Sequence, residues 1–100
     1  MDRKKILIVD DEKGFTNMLS LNLESTGDYD VCVENEATHA MESVCQFGPD
    51  LILLDVVMPN LEGPDVATQI RNNEDFSDVP IVFLTATVTK EEVEQSNGRI

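Results

Sequence analysis

Short apolar runs, separated by longer polar stretches, divide the chain into alternating segments. Three runs of four apolar residues occur at 6–9, 51–54 and 81–84. Runs of this length predict strands buried on both faces, as in a parallel sheet covered by helices. Residues 29–34 instead alternate apolar with polar positions. That alternation is typical of a strand with one face partly in water, so we place this strand at an edge of the sheet.

Helical periodicity fills the segments between the predicted strands. Apolar residues recur at helical spacing in three places, namely Phe15, Met18, Leu19 and Leu23, then Ala37, Ala40, Met41 and Val44, then Val66, Ala67 and Ile70. The first two helices are followed by the stop signals Gly27 and Gly48. A fourth helix is predicted over 89–95, because Thr89 and Glu92 have the spacing of an N-terminal capping box.

The order of the predicted elements, β-α-β-α-β-α-β-α, indicates the fold class. Strict alternation of strand and helix is typical of α/β domains with right-handed crossovers and a parallel sheet. The 100 residues, 41% of them apolar, suffice for one such domain with one core. We therefore expect residues 1–100 to form a single α/β domain with a doubly wound parallel sheet.

The charge and the cysteines narrow the class of protein. Twenty acidic residues against seven basic ones give a net charge of −13, which argues against direct binding of nucleic acid by this domain. No apolar run approaches the roughly 18–20 residues needed to cross a bilayer, and the run after the basic N-terminus is too short for a signal peptide. A cytoplasmic protein without membrane contact is therefore expected.

Cys32 and Cys45 lack metal-ligand spacing, so we expect free thiols, with pairing under oxidation as the alternative.

Polar residues follow three of the predicted buried strands. Asp10 and Asp11 come directly after the first strand, Asp55 after the third and Thr85 after the fourth. Ligands of open parallel sheets bind beyond the carboxyl ends of the strands, so these side chains converge if the strands are neighbours. Strand ends also carry such residues simply because loops begin there. Because polar residues follow all three strands, we favour their convergence into one site over this simpler explanation.

Carboxylates packed at one edge favour a divalent cation, because they repel one another unless a cation lies between them. Mg²⁺ is the best candidate, since it takes one or two carboxylates and leaves positions for a phosphoryl oxygen. An aspartate beside the metal can attack phosphorus and form an aspartyl phosphate, which the Thr85 hydroxyl could then bind. The chain has no G-x-x-x-x-G-K-[ST] loop, so ATP is not expected as its direct substrate.

Four motifs in this order resemble the receiver domain of two-component response regulators, a family that includes chemotaxis regulators. They are VDDE at 9–12, GPDLILLD at 48–55, MP at 58–59 followed by Gly63, and PIVFLTA at 80–86. The resemblance runs from Lys5 to about Gln95. It implies a flavodoxin-like sheet with strand order 2-1-3-4, to which the family adds a fifth strand and helix beside the fourth strand.

The resemblance implies a role for each residue of the acidic cluster. Asp55 corresponds to the phosphoacceptor, and Asp11 corresponds to a direct Mg²⁺ ligand. Asp10 would act mainly through a metal-bound water, and the backbone carbonyl of Val57 corresponds to a further ligand. On this basis the protein is not an enzyme proper, but a phosphoacceptor that takes part in its own Mg²⁺-dependent phosphorylation and dephosphorylation.

The resemblance also implies a switch and two kinds of partner. Thr85 corresponds to the switch hydroxyl that moves toward the phosphoryl group, and Ala86 to the small residue that leaves room for it. A sensor histidine kinase or a phosphotransfer protein would donate the phosphoryl group. The face of the predicted helix at 89–95 would then change its affinity for an output domain or a target protein.

The chain departs from the family pattern at its end. The family has a lysine in its fifth strand that pairs with the phosphoryl oxygens, and no such strand precedes residue 100, so we expect the sequence to be C-terminally incomplete. Lys90 begins a helix, and Lys4 and Lys5 precede the first strand, so none of them takes this role. Two alternatives remain: an interaction module of the same fold that is never phosphorylated, and an aspartyl-phosphate phosphatase. The phosphatase would need a second acid where Val57 stands.

Overall fold

The computed structural model describes residues 3–84, and its elements follow the predicted alternation of strands and helices. The strands are β1 (Lys4–Val9), β2 (Tyr29–Glu34), β3 (Leu51–Asp55) and β4 (Ile81–Leu84). The helices are α1 (Lys13–Glu24), α2 (Ala40–Phe47) and α3 (Gly63–Arg71), with a 3-10 helix at Ala37–His39 leading into α2. The predicted helix at 89–95 lies outside the described residues, as do Thr85 and Ala86.

The four strands form one parallel sheet in the order β2-β1-β3-β4. This confirms the predicted order and the edge position of β2. The register aligns Val9 with Leu54, and Asp55 with Leu84. The carboxyl ends of β1, β3 and β4 therefore lie level with one another at one edge of the sheet.

The helices cover both faces of the sheet at its central strands β1 and β3. Strand β4 was predicted to be buried on both faces, but Val82 and Phe83 are 49% and 43% exposed, so that prediction is wrong for β4. The connection from β1 to β2 runs in one direction across the sheet, and those from β2 to β3 and from β3 to β4 run in the other. Because each crossover is right-handed, α1 lies on one face and α2 and α3 lie on the opposite face. The main core lies on the face of the sheet that α2 and α3 cover. It consists of Leu7, Val9, Ala37, Ala40, Val44, Ile52, Leu54, Met58, Val66 and Ile70.

Helix α1 departs from its sequence pattern. Met18 belongs to the predicted apolar stripe, yet its side chain is 51% exposed, whereas Thr16 is fully buried. Helix α1 packs mainly beside the edge strand β2, so only part of its surface is covered. Thr16 tolerates burial because its hydroxyl donates a hydrogen bond to the Lys13 carbonyl at 3.1 Å.

Helix α2 ends where the sequence predicts. Its cap residue Gly48 has a left-handed backbone with φ of 64°, and its N–H donates to the Val44 carbonyl at 2.9 Å. A left-handed residue after the last turn suits glycine, which has no Cβ to strain. The chain then turns directly into β3, which carries Asp55 at its far end. Among residues 3–84, no helix is long and apolar enough to cross a membrane.

Candidate functional site

Three carboxylates meet at the level ends of β1 and β3. Asp10 and Asp11 follow β1, and Asp55 is the last residue of β3. One carboxylate oxygen from each residue can be chosen so that all three lie within 4.8 Å of one another. The pairing of β1 with β3 creates this cluster, because the two strands stop at the same height. Thr85 was predicted to join it, and its position lies outside the described residues.

The three acids differ in burial. Asp10 and Asp55 are fully buried, whereas Asp11 is exposed. Backbone N–H groups help to hold the buried pair: Glu12 donates to Asp10 Oδ1 at 2.9 Å, and Val57 donates to Asp55 Oδ1 at 3.4 Å. Burying charge is costly unless other groups compensate for it. An all-oxygen donor set with one solvent-facing member fits a hard divalent cation, as the sequence indicated.

The loop after β3 folds back over the end of its own strand. The Gly63 N–H donates to the Val56 carbonyl at 2.9 Å, and Met58 of this loop is buried in the core. A Cβ at Gly63 would overlap the carbonyl oxygen of Asp55. Glycine at this position therefore lets α3 begin against the backbone of the predicted phosphoacceptor. The side chain of Val57 is 59% exposed at this rim.

Two polar residues that sequence reasoning missed connect the end of β2 to the acidic loop. The side-chain nitrogen of Asn35 donates to the Asp10 carbonyl at 2.7 Å and to the Thr16 hydroxyl at 3.1 Å. Thr16 is fully buried on α1. Neither residue belongs to an apolar pattern or to a motif. The only available signal was the position of Asn35 directly after a predicted strand, where polar residues are common.

A cleft of about 320 Å³ opens next to the cluster. Asp11 lines it from the loop after β1, Lys13 from the start of α1, Asn35 from the end of β2, and Asn60 from the loop after β3. Asn60 adopts a positive φ of 74°, which asparagine tolerates better than most residues. The cleft is large enough for a small phosphorylated group, and both negative and positive side chains face it.

The lysines of β1 lie at the other end of the sheet. Lys5 Nζ donates to the Phe47 carbonyl at 3.4 Å and lies 5.6 Å from the centre of the Phe47 ring. The Lys5 N–H donates to Asp50 Oδ2 at 2.8 Å, at the amino end of β3. Lys4 and Lys5 therefore cannot reach a phosphoryl group on Asp55, as expected from their place before the first apolar run.

The comparison of sequences identifies the class of this protein. Residues 6–97 match the family described as the response regulator receiver domain, and the chain belongs to that family. The N-terminal domain of a response regulator receiver protein from Methanoculleus marisnigri JR1 is 29% identical, with a TM-score of 0.78 over 96% of this chain and 78% of that one. The receiver domain of the sensor histidine kinase PA1611 from Pseudomonas aeruginosa PAO1 is 30% identical, also with a TM-score of 0.78, over 93% and 75% of the two chains.

The chain also resembles part of the sequence of longer regulatory proteins. The alkaline phosphatase synthesis transcriptional regulatory protein PhoP of Bacillus subtilis is 42% identical over 83 residues, which are 83% of this chain and 33% of that protein. The DNA-binding response regulator MtrA of Mycobacterium tuberculosis H37Rv is 40% identical over 84% of this chain and 35% of its own length. The chain thus spans about a third of the length of these relatives. The resemblance to chemotaxis regulators in particular stays a prediction.

Proposed function

We propose that this chain is a phosphorylatable receiver that accepts a phosphoryl group on Asp55 in the presence of Mg²⁺. The donor would be a sensor histidine kinase or a phosphotransfer protein. The observation that carries the proposal is the convergence of Asp10, Asp11 and Asp55 at the level ends of two adjacent parallel strands. Membership of the receiver family supports it independently.

The residues at this edge fit a magnesium ion. Asp11 would bind it directly, Asp10 through a bound water, and Asp55 and the Val57 carbonyl would complete the protein ligands. The related PA1611 receiver domain was crystallised with a magnesium ion coordinated in its active site cleft. When bound, the ion supplies positive charge that offsets the carboxylates and the phosphoryl oxygens.

Asp55 is the residue suited to accept the phosphoryl group. Strand β3 and the Val57 N–H fix its carboxylate at the end of the sheet. A carboxylate oxygen forms a bond to phosphorus while the phosphorus–nitrogen bond of the donor phosphohistidine breaks. The imidazole nitrogen keeps the electron pair and takes up a proton from water. This transfer requires positioning and charge stabilisation rather than a separate acid–base residue.

The effect of phosphorylation would pass to residues 85–95. We propose that Thr85 hydrogen-bonds the phosphoryl group, that Ala86 leaves room for it, and that the face at 89–95 then changes its affinity for a partner. PhoP and MtrA carry names of transcriptional and DNA-binding regulators. We therefore expect an output domain or a target protein to respond to the phosphorylated domain. The net charge of −13 argues against direct contact of this domain with nucleic acid.

Intact-mass measurement with a small acyl phosphate as phosphodonor tests the proposal. We expect one phosphoryl increment on the wild-type chain with Mg²⁺ and none with a chelator. Asp55→Asn should remove the increment, because an amide does not form the acyl phosphate. Asp50→Asn is the matched control, since Asp50 precedes the same strand at its opposite end, about 17 Å away.

The outcomes separate the candidate functions. An increment that persists in Asp55→Asn would contradict the assignment of the phosphoacceptor. A wild-type chain that gains no phosphoryl group under any condition would favour the interaction module that is never phosphorylated.

A further inference from the structure

We propose that Asn35 is a positioning residue, whose side-chain amide holds the loop of Asp10 and Asp11 in the geometry that binds the cation. The inference rests on the proposed function, because it concerns the affinity of the same acidic cluster for Mg²⁺. Asn35 follows the edge strand β2 and is half-buried at the wall of the cleft. It reaches the loop from a different part of the chain, 25 residues away in sequence.

The hydrogen bonds of Asn35 fix its orientation. Its nitrogen lies 2.7 Å from the Asp10 carbonyl oxygen and 3.1 Å from Thr16 Oγ1. A carbonyl oxygen can only accept a hydrogen bond, so the amide nitrogen must face it. The Thr16 hydroxyl can accept the second bond because its own hydrogen is directed to the Lys13 carbonyl.

One side chain therefore holds the acidic loop at both of its ends. At the start of the loop, Asn35 binds the backbone of Asp10. At its end, Asn35 binds Thr16, whose N–H donates to the Glu12 carbonyl at 3.1 Å. Asp11 lies between these two points. A shift of this backbone would move the carboxylates of Asp10 and Asp11 together, since the two residues are neighbours in sequence.

The turn that carries Asn35 has further hydrogen bonds of its own. The carboxylate of Glu34 accepts hydrogen bonds from the Glu36 N–H and from the Ser43 hydroxyl. These contacts fasten the turn between β2 and α2. The amide of Asn35 is thus directed at the acidic loop rather than at its own turn. Groups that orient metal ligands in this way commonly change metal affinity when they are removed.

Calorimetric titration with Mg²⁺ tests the inference on the full chain. We expect Asn35→Ala to weaken the Kd about tenfold, the lower end of such effects, because the ligands remain and only their backbone loosens. Asn73→Ala is the matched control: Asn73 is also half-buried, and its Oδ1 accepts a local hydrogen bond from the Asp75 N–H at 2.9 Å. The control should bind Mg²⁺ as the wild type does.

Hydrogen exchange provides a readout that does not depend on the cation. In the absence of Mg²⁺, the Glu12 amide should exchange faster in Asn35→Ala, because it donates to Asp10 on the loosened loop. Amides of α3 should be unaffected. In a double-mutant cycle, adding Thr16→Val to Asn35→Ala should weaken the Mg²⁺ affinity little further, since Asn35→Ala already removes the hydrogen bond between Asn35 and Thr16.

The possible results distinguish the inference from the proposed function. A wild-type chain that does not bind Mg²⁺ contradicts the proposed function itself. Wild-type binding together with an Asn35→Ala Kd within twofold of it overturns the positioning role, as does equal weakening in Asn73→Ala. If Asn35→Ala does not fold, Asn35→Ser decides, because serine keeps a polar side chain that is too short to reach both Asp10 and Thr16: weaker Mg²⁺ binding supports the role, and wild-type affinity overturns it.

Discussion

The two cysteines show how strongly the surroundings of a single residue differ within this fold. Cys32 lies on β2 and is half-buried against the core, whereas Cys45 is exposed on α2, and both thiols are free. Burial raises the pKa of the Cys32 thiol, and the nearby Glu34 carboxylate raises it further. Both effects disfavour the thiolate, which is the reactive form.

A thiol-labelling experiment near neutral pH should resolve the two residues. We expect Cys45 to react about tenfold faster than Cys32, because burial both shields the Cys32 thiol from the reagent and raises its pKa, whereas Cys45 is exposed. Mass spectrometry of the labelled chain over time measures both rates. The Cys45→Ser variant should lose the fast phase and Cys32→Ser the slow one, and equal rates at the two sites would contradict this prediction.

The raised pKa of the Cys32 thiol makes the stability of the fold depend on pH. The folded-state pKa of Cys32 lies above that of the unfolded chain. Folding therefore binds the thiol proton more tightly. The contribution of Cys32 to stability is fully present below the unfolded pKa and is lost as the pH rises through the folded pKa.

At the scale of elements, the contact between α3 and β3 determines the shape of the site. Gly63 is the first residue of α3 and is buried against the last residue of β3. The neighbouring atoms belong to the backbone of Asp55 and Val56, which cannot move aside as a flexible side chain would. The loop between the two elements, which includes Val57, thus depends on one missing Cβ.

Gly63→Ala should therefore destabilise the domain by about 1–3 kcal/mol, the usual cost of overpacking. Urea unfolding followed by circular dichroism measures the difference. Gly14→Ala is the control: Gly14 lies in α1, and no atom lies within 4 Å of the place that an alanine methyl group would occupy. Alanine there should be neutral or stabilise by up to about 1 kcal/mol. Equal stabilities of the two variants would contradict the tight contact.

At the scale of the whole molecule, negative charge is the dominant electrostatic feature. The net charge is −13, and three acids share one edge of the sheet, two of them fully buried. Mutual repulsion on this scale opposes compaction. A ligand that binds only the folded chain and carries positive charge at this edge should shift the folding equilibrium by mass action.

Magnesium should therefore stabilise the domain specifically. At a concentration ten times its Kd, Mg²⁺ should raise the free energy of unfolding by about 1.4 kcal/mol. Thermal unfolding with MgCl₂, compared with NaCl at equal ionic strength, separates binding from general screening of charge. Asp11→Asn should lose most of the Mg²⁺ effect and keep the NaCl effect. A shift of equal size in both salts would indicate screening alone.

The pattern of apolar and polar positions predicts the class of fold and identifies the acidic residues of the candidate site. The runs at 6–9, 51–54 and 81–84 predicted strands covered on both faces, as in a sheet between two layers of helices. This holds for most of β1 and β3, whereas Val82 and Phe83 of β4 are exposed. The acids that follow the runs at 6–9 and 51–54 predicted that Asp10, Asp11 and Asp55 converge if the two strands are neighbours, and the resemblance to receiver domains implied the strand order that makes them so. The alternation at 29–34 correctly located the edge strand, because an edge strand is less fully covered.

Which residues meet across the elements depends on how the helices and strands pack together, and the sequence pattern does not show it. Periodicity placed Met18 in the buried stripe of α1, but the way α1 packs beside β2 exposes Met18 and buries Thr16. The bonds from Asn35 join the end of β2 to the loop after β1 and to α1, which lie 25 and 19 residues away in sequence. A pattern of apolar positions records which face of each element is buried. It carries no information about distances between polar atoms on different elements, and those distances set the geometry of this site.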